Sequence, residues 1–417
     1  MKSVMSRQWR LIAAATIFCV GLFPVTAMAT FSIVAVDTVT GDIGGAGASC
    51  ISGSKIINDI IEGIGAVHTQ AYYIPENQTN AHALLAEGLT PDSIVQWLEA
   101  HDVEGMPEIR QYGAVTLAGS GSSAGFTGWG TTYWAGHLTG PGYAIQGNIL
   151  LGPEILTAME SAYLNTPGPL EDRLMAALEA ADVPGADTRC TSCNKPAISA
   201  FIKVIHTGDG GTPFLYKYVD NTICEVDPIP RLRLLYDDWK RLQYPDPDSS
   251  MITVDPMILP ANGTALATIV VTPRNYLNQP LMLGSTVAMS NAGDGTLSGV
   301  TDNGDGTFSA TLTAPTLPGS DAISAVVTAG GQQAELTEKP VVRYILCGDA
   351  NGDNANNLSD AVFLVNYVFK GGPAPSPLCM GDTNTDGAIN LADAVFMINY
   401  VFKGGPAPSD QCCLPLW

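Results

Sequence analysis

The segment GDANGDNANNLSDAVFLVNYVFKGGPAPS, starting at Gly348, recurs from Gly381 as GDTNTDGAINLADAVFMINYVFKGGPAPS. An internal repeat of this kind means one small unit built twice. In the second copy Asp382, Asn384 and Asp386 occupy loop positions 1, 3 and 5. Gly387 follows at position 6, the Ala388 carbonyl at 7, Asn390 at 9 and Asp393 at 12. A hard cation such as calcium takes six to eight oxygens, and this spacing wraps a short loop around one. The first copy offers Asp349, Asn351, Asp353, Ala355, Asn357 and Asp360, with Asn354 in the glycine's place. Asn is the next most tolerant residue at positive φ. Asn356 replaces the apolar residue of position 8, so this loop is expected to pack less well and to bind more weakly. Two calcium ions are expected, each loop leads into a helix, and so small a module is expected to need the metal to fold.

The other end of the chain sets the compartment. Lys2, Arg7 and Arg10 precede an apolar run from Leu11 to Phe23 and small residues at Ala27 and Ala29, the pattern of a secretory signal peptide over residues 1–29. The run is shorter than the roughly 18–20 residues of a membrane span, and no later segment is long and apolar enough for one. A cut after Ala29 starts the chain at Thr30, whereas a cut after Ala27 leaves Met28 and Ala29 ahead of it. The formal charge is −21, and removing residues 1–29 takes away three positive charges and no negative ones, leaving −24. So acidic a chain argues against nucleic acid and anionic lipid as partners. Eight of the nine cysteines lie beyond the leader, an even set that predicts disulfides in an oxidising compartment. Cys190-x-x-Cys193 has no second CxxC or His pair to complete a zinc site.

Three textures follow the leader. Residues 30–244 mix strand-like runs (SIVAV, GAVHTQAYYI, AISAFIKVI) with ALLAEGLTPDSIVQWLEAHD and LEDRLMAALEAAD, whose apolar spacing of three and four predicts amphipathic helices. Residues 245–250, within YPDPDSS, form a Pro/Asp-rich linker. Residues 251–343 alternate short β-branched runs with turns and carry no helix signal, which predicts an all-β sandwich. TDNGDGTF, residues 301–308, also alternates Asp and Gly, but the twelfth position from Asp302 is Thr313, so a hairpin turn is expected there. Residues 347–412 are the repeat pair.

These textures carry resemblances. A calcium loop followed by one helix, twice, resembles the dockerin type I module, and the likeness covers residues 347–412. It implies docking to a cohesin-like or cell-surface protein. The pair at loop positions 10 and 11, often two hydroxyl residues in that family, is Leu358-Ser359 and Leu391-Ala392 here, a departure that points to a species-specific surface partner. PANGTALATIVVTPRNYLNQPL with TDNGDGTFSATLTAP resembles the bacterial Ig-like repeats of invasin and intimin type, which act as spacers or adhesive stalks.

Residues 30–244 contain no GxSxG, HExxH or phosphate loop. The five histidines are scattered, and His68 in GAVHTQA is expected to be a packed residue. One chemical option is positional. A threonine at a chain start carries its own amine, of pKa near ~8, beside its hydroxyl and needs no histidine as base. TFSIVAVDTVTGDIGG, GIGAVHTQA, LLAEGL, RQYGAV, WAGHLTGPGYAIQGNIL and LEDRLMAALEAA resemble the domain of unknown function 1028, placed among N-terminal nucleophile (Ntn) hydrolases with a four-layer α-β-β-α sandwich. The resemblance implies hydrolysis of an amide bond with Thr30 as nucleophile. It makes Asn148 the oxyanion candidate, with Gln70 and Gln146 lining the pocket. Two departures stand out. Cys50 lies where related chains often carry Lys or His, and Lys55 is too far along to be assigned that role. RCTSCNKPAISAF reads as an insertion whose cysteines clamp a loop near the pocket edge.

The expectation is therefore a secreted multidomain protein. An Ntn-like α/β sandwich is followed by an Ig-like spacer and a calcium-dependent docking module. Two alternatives come from other classes: a non-catalytic binding or adhesion protein, and an accessory component of a polysaccharide-degrading assembly.

Overall fold

The computed structural model describes residues 30–131, 133–220, 224–281, 284–410 and 412–413. The expected leader lies outside the described residues. Contacts divide the chain into two compact units, the first ending at Leu235 and the second beginning at Tyr236.

The first unit holds two antiparallel sheets. One has six strands, β1 (Thr30–Val36), β2 (Ile43–Ser49), β7 (Trp134–Gly140), β8 (Tyr143–Leu150), β9 (Ser199–Ile205) and β10 (Leu215–Asp220), in the order β10-β9-β2-β1-β8-β7. The other runs β3 (Asn58–Ile61), β4 (Gly65–Gln70), β5 (Gln111–Thr116), β6 (Ser122–Thr127). Helices α1 (Pro75–Ala86) and α2 (Pro91–Ala100) pack on the smaller sheet, burying Leu85, Ile94 and Leu98 against Val67, Tyr112 and Ala114. A four-residue turn, α3 (Ala118–Gly121), precedes β6. Helices α4 (Glu154–Asn165) and α5 (Leu170–Ala180) pack on the larger sheet, and the two sheets face each other through Val34, Val36, Ala66, Val115 and Ala144.

Two expectations are refined. The stretch ALLAEGLTPDSIVQWLEAHD is broken between α1 and α2, because Gly88 takes a left-handed φ of 78° and Thr90 caps a new helix that starts on Pro91. The strand GAVHTQAYYI stops at Gln70, because Ala71 and Tyr72 adopt φ of 55° and 53°. There the Tyr72 carbonyl accepts from the buried Arg110 guanidinium.

α6 (Pro228–Arg241) crosses the division between the units. In the second unit, β11 (Met251–Asp255), β13 (Leu266–Thr272), β15 (Thr296–Leu297), β16 (Thr301–Asp302) and β17 (Phe308–Thr313) form one sheet. β12 (Ile258–Pro260), β14 (Thr286–Asn291), β18 (Gly319–Ala329), β19 (Gln332–Glu335) and β20 (Val341–Ile345) form the other. Inward residues alternate along β13 and β18, so Ala267, Ile269, Val271, Ile323, Ala325 and Val327 fill the core. TDNGDGTF is the turn from β16 into β17, where Asp302 and Asp305 accept from the Gly304 and Thr307 N–H groups. Asp246 and Ser250 are hydrogen-bonded to Arg274 at the edge of this sandwich.

The repeats form α7 (Leu358–Lys370) and α8 (Leu391–Lys403), packed through Ala361, Leu364, Ala394 and Met397. Each begins with a capping box, Asn357 with Asp360 and Asn390 with Asp393, and each ends on a left-handed glycine, Gly371 or Gly404. The eight cysteines form four disulfides: Cys50–Cys190, Cys193–Cys224, Cys347–Cys412 and Cys379–Cys413. Cys190 and Cys193 thus pair outward, to opposite flanks, rather than with each other. Among the described residues no helix is long and apolar enough to cross a membrane.

Candidate functional site

Strand alternation puts Thr30, Ser32, Val34 and Val36 on one face of β1. The last two join the apolar layer between the sheets, and the first two head a polar one. Thr30 is the first residue of β1 and lies opposite Ser49 of β2 on one side and Asn148 of β8 on the other. Its Oγ1 donates to Ser49 Oγ at 3.3 Å, and its carbonyl accepts from Gln70 Nε2 at 3.2 Å. Thr30, Gln70 and Asn148 are therefore brought together, all buried.

The link between them is Gln111, which the sequence reading passed over. Its Oε1 accepts from Gln70 Nε2 at 2.7 Å and from Asn148 Nδ2 at 3.1 Å, while its Nε2 reaches the Gly136 and Gly147 carbonyls. Gln70 spends both amide hydrogens, on Thr30 and Gln111. Asn148 spends one there. The residue before Gln111 is itself anchored. Arg110, buried, gives Nε to Asp102 at 2.8 Å and Nη2 to Glu104 at 2.6 Å. Burial alone would raise the Asp102 carboxyl, yet hydrogen bonds from Arg110, the Met106 N–H and Asn77 hold it down at about 2.

Ser32, Gln146 and His68 extend the network. With both Gln70 hydrogens in use, its Oε1 accepts from Ser32 Oγ at 2.7 Å. Ser32 Oγ in turn accepts from Gln146 Nε2 at 2.7 Å and lies 2.9 Å from His68 Nδ1. His68 Nε2 faces the Asn58 amide at 2.9 Å. Serine, histidine and asparagine stand at triad-like distances, with His68 Nδ1 beside Ser32 Oγ and Gln146 Nε2 and its Nε2 on Asn58 Oδ1. Burial lowers the His68 pKa to about 3, which keeps the ring neutral and packed, as expected. Glycines leave room for these side chains. A Cβ on Gly113 would lie 1.9 Å from Gln146 Oε1, and one on Gly45 would lie 2.6 Å from His68 Nε2.

On the other flank of Thr30, Ser49 Oγ lies 3.4 Å from Arg189 Nη2. Arg189 is clamped by the fully buried Asp187 through Nε at 3.1 Å and Nη2 at 2.8 Å. Asp187 also accepts from the Cys50 N–H at 2.7 Å and caps the 3-10 turn Thr188–Cys193. Lys55 takes no part, being paired with Asp220 and stacked over Tyr218. Strand register would have exposed Ser49 once β1 and β2 were paired, whereas Arg189 and Asp187 lie in irregular chain that carries no periodic signal.

In the first repeat, Asp349, Asp353 and Asp360 each present an oxygen within 4.8 Å of the others. Asp349 and Asp360 are buried and Asp353 is exposed. Asp349 also accepts from the Gly352, Asp353 and Asn354 N–H groups, so the chain curls around its carboxylate. Asn351 and Asn357 reach Asp353, and the Ala355 carbonyl accepts from Asn357. The donor set is all oxygen, half of it carboxylate, which fits a hard divalent cation. The second loop repeats the curl: Asp382 accepts from Asp386 and Gly387, Asn384 meets Asp386, and Asn390 meets the Ala388 carbonyl. Asp393 closes it by accepting from Thr383, Asn384 and Asn390. Burial pushes the Asp360 and Asp393 carboxyls up, a penalty that a bound cation would reverse. The Asn356 amide donates to the Cys347 carbonyl at 2.8 Å, while its Oδ1 is buried without a partner among the described residues.

Three family models match in succession. Residues 30–230 match the family of unknown function DUF1028, residues 246–343 match invasin domain 3, and residues 347–402 match the dockerin type I domain. Among solved structures, a DUF1028 protein of Silicibacter pomeroyi is 26% identical over 50% of this chain and 88% of its own, with a TM-score of 0.42. The adhesin InvE of Yersinia pseudotuberculosis is 32% identical over 24% of this chain and 27% of its own, with a TM-score of 0.21. No curated protein matches the chain. Dockerin type I modules bind calcium and cohesins, and imply attachment to an extracellular assembly, while an invasin-type domain suggests adhesion. The chain is thus similar, in order, to DUF1028 proteins, to invasin domain 3 and to dockerin type I modules.

Proposed function

We propose that the protein is a secreted Ntn-type hydrolase of an amide bond, carried on an Ig-like spacer and tethered through a calcium-loaded dockerin. The observation that carries the catalytic half is the setting of Thr30. It opens a central strand of a sheet in a helix, sheet, sheet, helix arrangement, with Ser49, Asn148 and Gln70 converging on it. Cleavage after Ala29 would free its α-amine. The hydroxyl oxygen then attacks the amide carbonyl carbon while its proton passes to that amine. The second Asn148 N–H faces the developing oxyanion, and Gln70 and Gln111 hold Thr30 and Asn148 in place. The amine returns the proton to the leaving nitrogen, and water hydrolyses the ester to release the acid.

Asp349, Asn351, Asp353, Ala355, Asn357 and Asp360 would hold one calcium, and Asp382, Asn384, Asp386, Ala388, Asn390 and Asp393 a second. Leu358, Val362 and Phe369 are exposed on α7, and their counterparts Leu391, Val395 and Phe402 are exposed on α8. That apolar face suits a cohesin-like partner. Adhesion without catalysis is the second reading, favoured by the invasin-type match.

N-terminal sequencing of the exported protein, followed by labelling with an acylating β-lactone, tests the catalytic half. A chain beginning at Thr30 whose label maps to Thr30 and disappears in Thr30→Ala is the expected result. A mature start at Met28, or labelling that survives Thr30→Ala, refutes it.

A further inference from the structure

A threonine nucleophile needs something to steady its oxygen as the proton leaves, and a lysine often does so. Here Cys50 stands in the expected cation's place, and Lys55 is engaged with Asp220. The polar chain that does reach the hydroxyl runs Thr30 Oγ1 to Ser49 Oγ at 3.3 Å, then Ser49 Oγ to Arg189 Nη2 at 3.4 Å. From Arg189 it continues to the buried Asp187, and from Asp187 to the Cys50 N–H. The covalent link closes the circle, because the Cys50–Cys190 disulfide joins the residue after Ser49 to the residue after Arg189.

We infer that Ser49 and Arg189 form a positioning pair for Thr30, held in register by Asp187 and by the Cys50–Cys190 disulfide, so that the site reaches its full rate only when that disulfide is closed. The inference rests on the proposed Thr30 chemistry. In the resting state Thr30 donates to Ser49. When the Thr30 proton passes to the α-amine, the Ser49 hydroxyl turns and donates to the Thr30 oxygen instead. Ser49 keeps its own proton throughout. The guanidinium, donating into Ser49 Oγ, polarises that hydroxyl and makes it a stronger donor. Its positive charge near the chain start also favours the neutral amine, the form that acts as base. Asp187 cannot substitute, being acceptor-only. With the disulfide open, the short turn Thr188–Cys193 keeps Asp187 as cap but loses its tie to β2, and the distance from Arg189 to Ser49 is no longer fixed.

The test is the rate of β-lactone labelling at Thr30, measured with the full exported chain in calcium. Arg189→Gln alone strands the buried Asp187 carboxylate, so it is paired with Asp187→Asn to preserve folding, confirmed by an unchanged melting curve. That double variant, Ser49→Ala, and Cys50→Ser with Cys190→Ser are each expected to slow labelling by roughly ten- to hundredfold. Combining Ser49→Ala with the Arg189/Asp187 change is expected to be no slower than the slower of the two, since the residues act as one unit. Arg189→Lys recovers part of the rate. Loss of Arg189 also moves the rising limb of the rate to higher pH, which a merely loosened fold would not do. If Thr30 of the wild-type chain takes no label, the catalytic reading and the pair fall together. If Thr30 is labelled and the Arg189/Asp187 variant matches it in rate and pH profile, the pair alone is overturned.

Discussion

Asp360→Asn should change the stability of the repeat pair in opposite directions with and without calcium. Asp360 does two jobs at once. Its carboxylate closes the first loop beside Asp349 and Asp353, with oxygens no more than 4.8 Å apart. It also caps α7, accepting from the Asn357 N–H at 2.9 Å and the Asn351 N–H at 3.2 Å. Without metal, two like charges at that separation repel by about 3 kcal/mol at an effective dielectric near 20, and by about 1 kcal/mol where water screens them. Asp349 is buried and Asp353 exposed, so the two values apply in turn. Asparagine abolishes both repulsions and keeps one acceptor, losing about 1 kcal/mol of capping. The apo form should therefore gain on the order of 1–3 kcal/mol. With calcium, the same change removes a charged ligand. A hundredfold loss of affinity costs about 2.7 kcal/mol at saturation.

The assay is thermal unfolding of the full chain in millimolar calcium and in chelator, followed by scanning calorimetry. For so small a module, 1 kcal/mol moves Tm by about 4–8 °C. Asp360→Asn should lower the calcium Tm and raise the chelator Tm, so that the variant shows a much smaller calcium-dependent shift than the wild type. An equal fall in both conditions would mean that Asp360 is only a helix cap, and the converging carboxylates would then have no part in metal binding. Asp393→Asn provides the comparison. Among the described residues the three-carboxylate convergence is found in the first loop alone, so the gain in chelator should be smaller for the second.

Gly113→Ala should destabilise the first unit, because the new methyl would sit 1.9 Å from Gln146 Oε1 and push a buried amide off Ser32. A cost of about 2–3 kcal/mol follows, read as a fall in Tm of roughly 5 °C or more, and an unchanged Tm would count against a rigid inter-sheet network. Asp182→Asn should stabilise the same unit above pH 6 and not below pH 4. Burial, with Asp227 and Glu179 nearby and Lys195 opposing, raises the Asp182 carboxyl to about 6. The folded state therefore holds the proton more tightly than the unfolded chain, and ionisation through that window lowers stability as pH rises. The expected gain is about 1 kcal/mol after allowance for solvent screening, measured as Tm at pH 8 against pH 4.

What could be read from the residues depended on whether the deciding interaction was local. The loops around Asp349 and Asp382 are legible because every donor lies within a dozen residues, and the same run supplies the capping box that starts each helix. The sandwich strands are legible because each faces one core and alternates accordingly. Gln111 escaped notice for the opposite reason. Its partners Gln70, Asn148, Gly136 and Gly147 come from three other strands, and nothing in RQYGAV marks the glutamine as different from a surface residue. Its burial follows only once β5 faces β8 across the sheet interface. The helix break at Gly88 and Pro91 was local and readable, but the apolar spacing of three and four ran on across it and masked the boundary.

Cys50 and the RCTSC segment look unrelated along a chain where 140 residues separate the paired cysteines. In space they are one feature. Cys50 follows the serine that meets Thr30, and Cys190 follows the arginine that meets that serine. Cys50, just past the end of β2, thereby ties a basic residue from outside the sheet, Arg189, to the strand that meets Thr30. An arginine on a short surface turn has too many rotamers to hold one hydrogen bond unaided. The buried Asp187 fixes its head, and the disulfide fixes its backbone. Closing so long a loop also removes on the order of 5 kcal/mol of chain entropy from the unfolded state. One bond thus stabilises the first unit as a whole and places a charge beside Thr30. Opening it should therefore slow Thr30 chemistry even in molecules that remain folded.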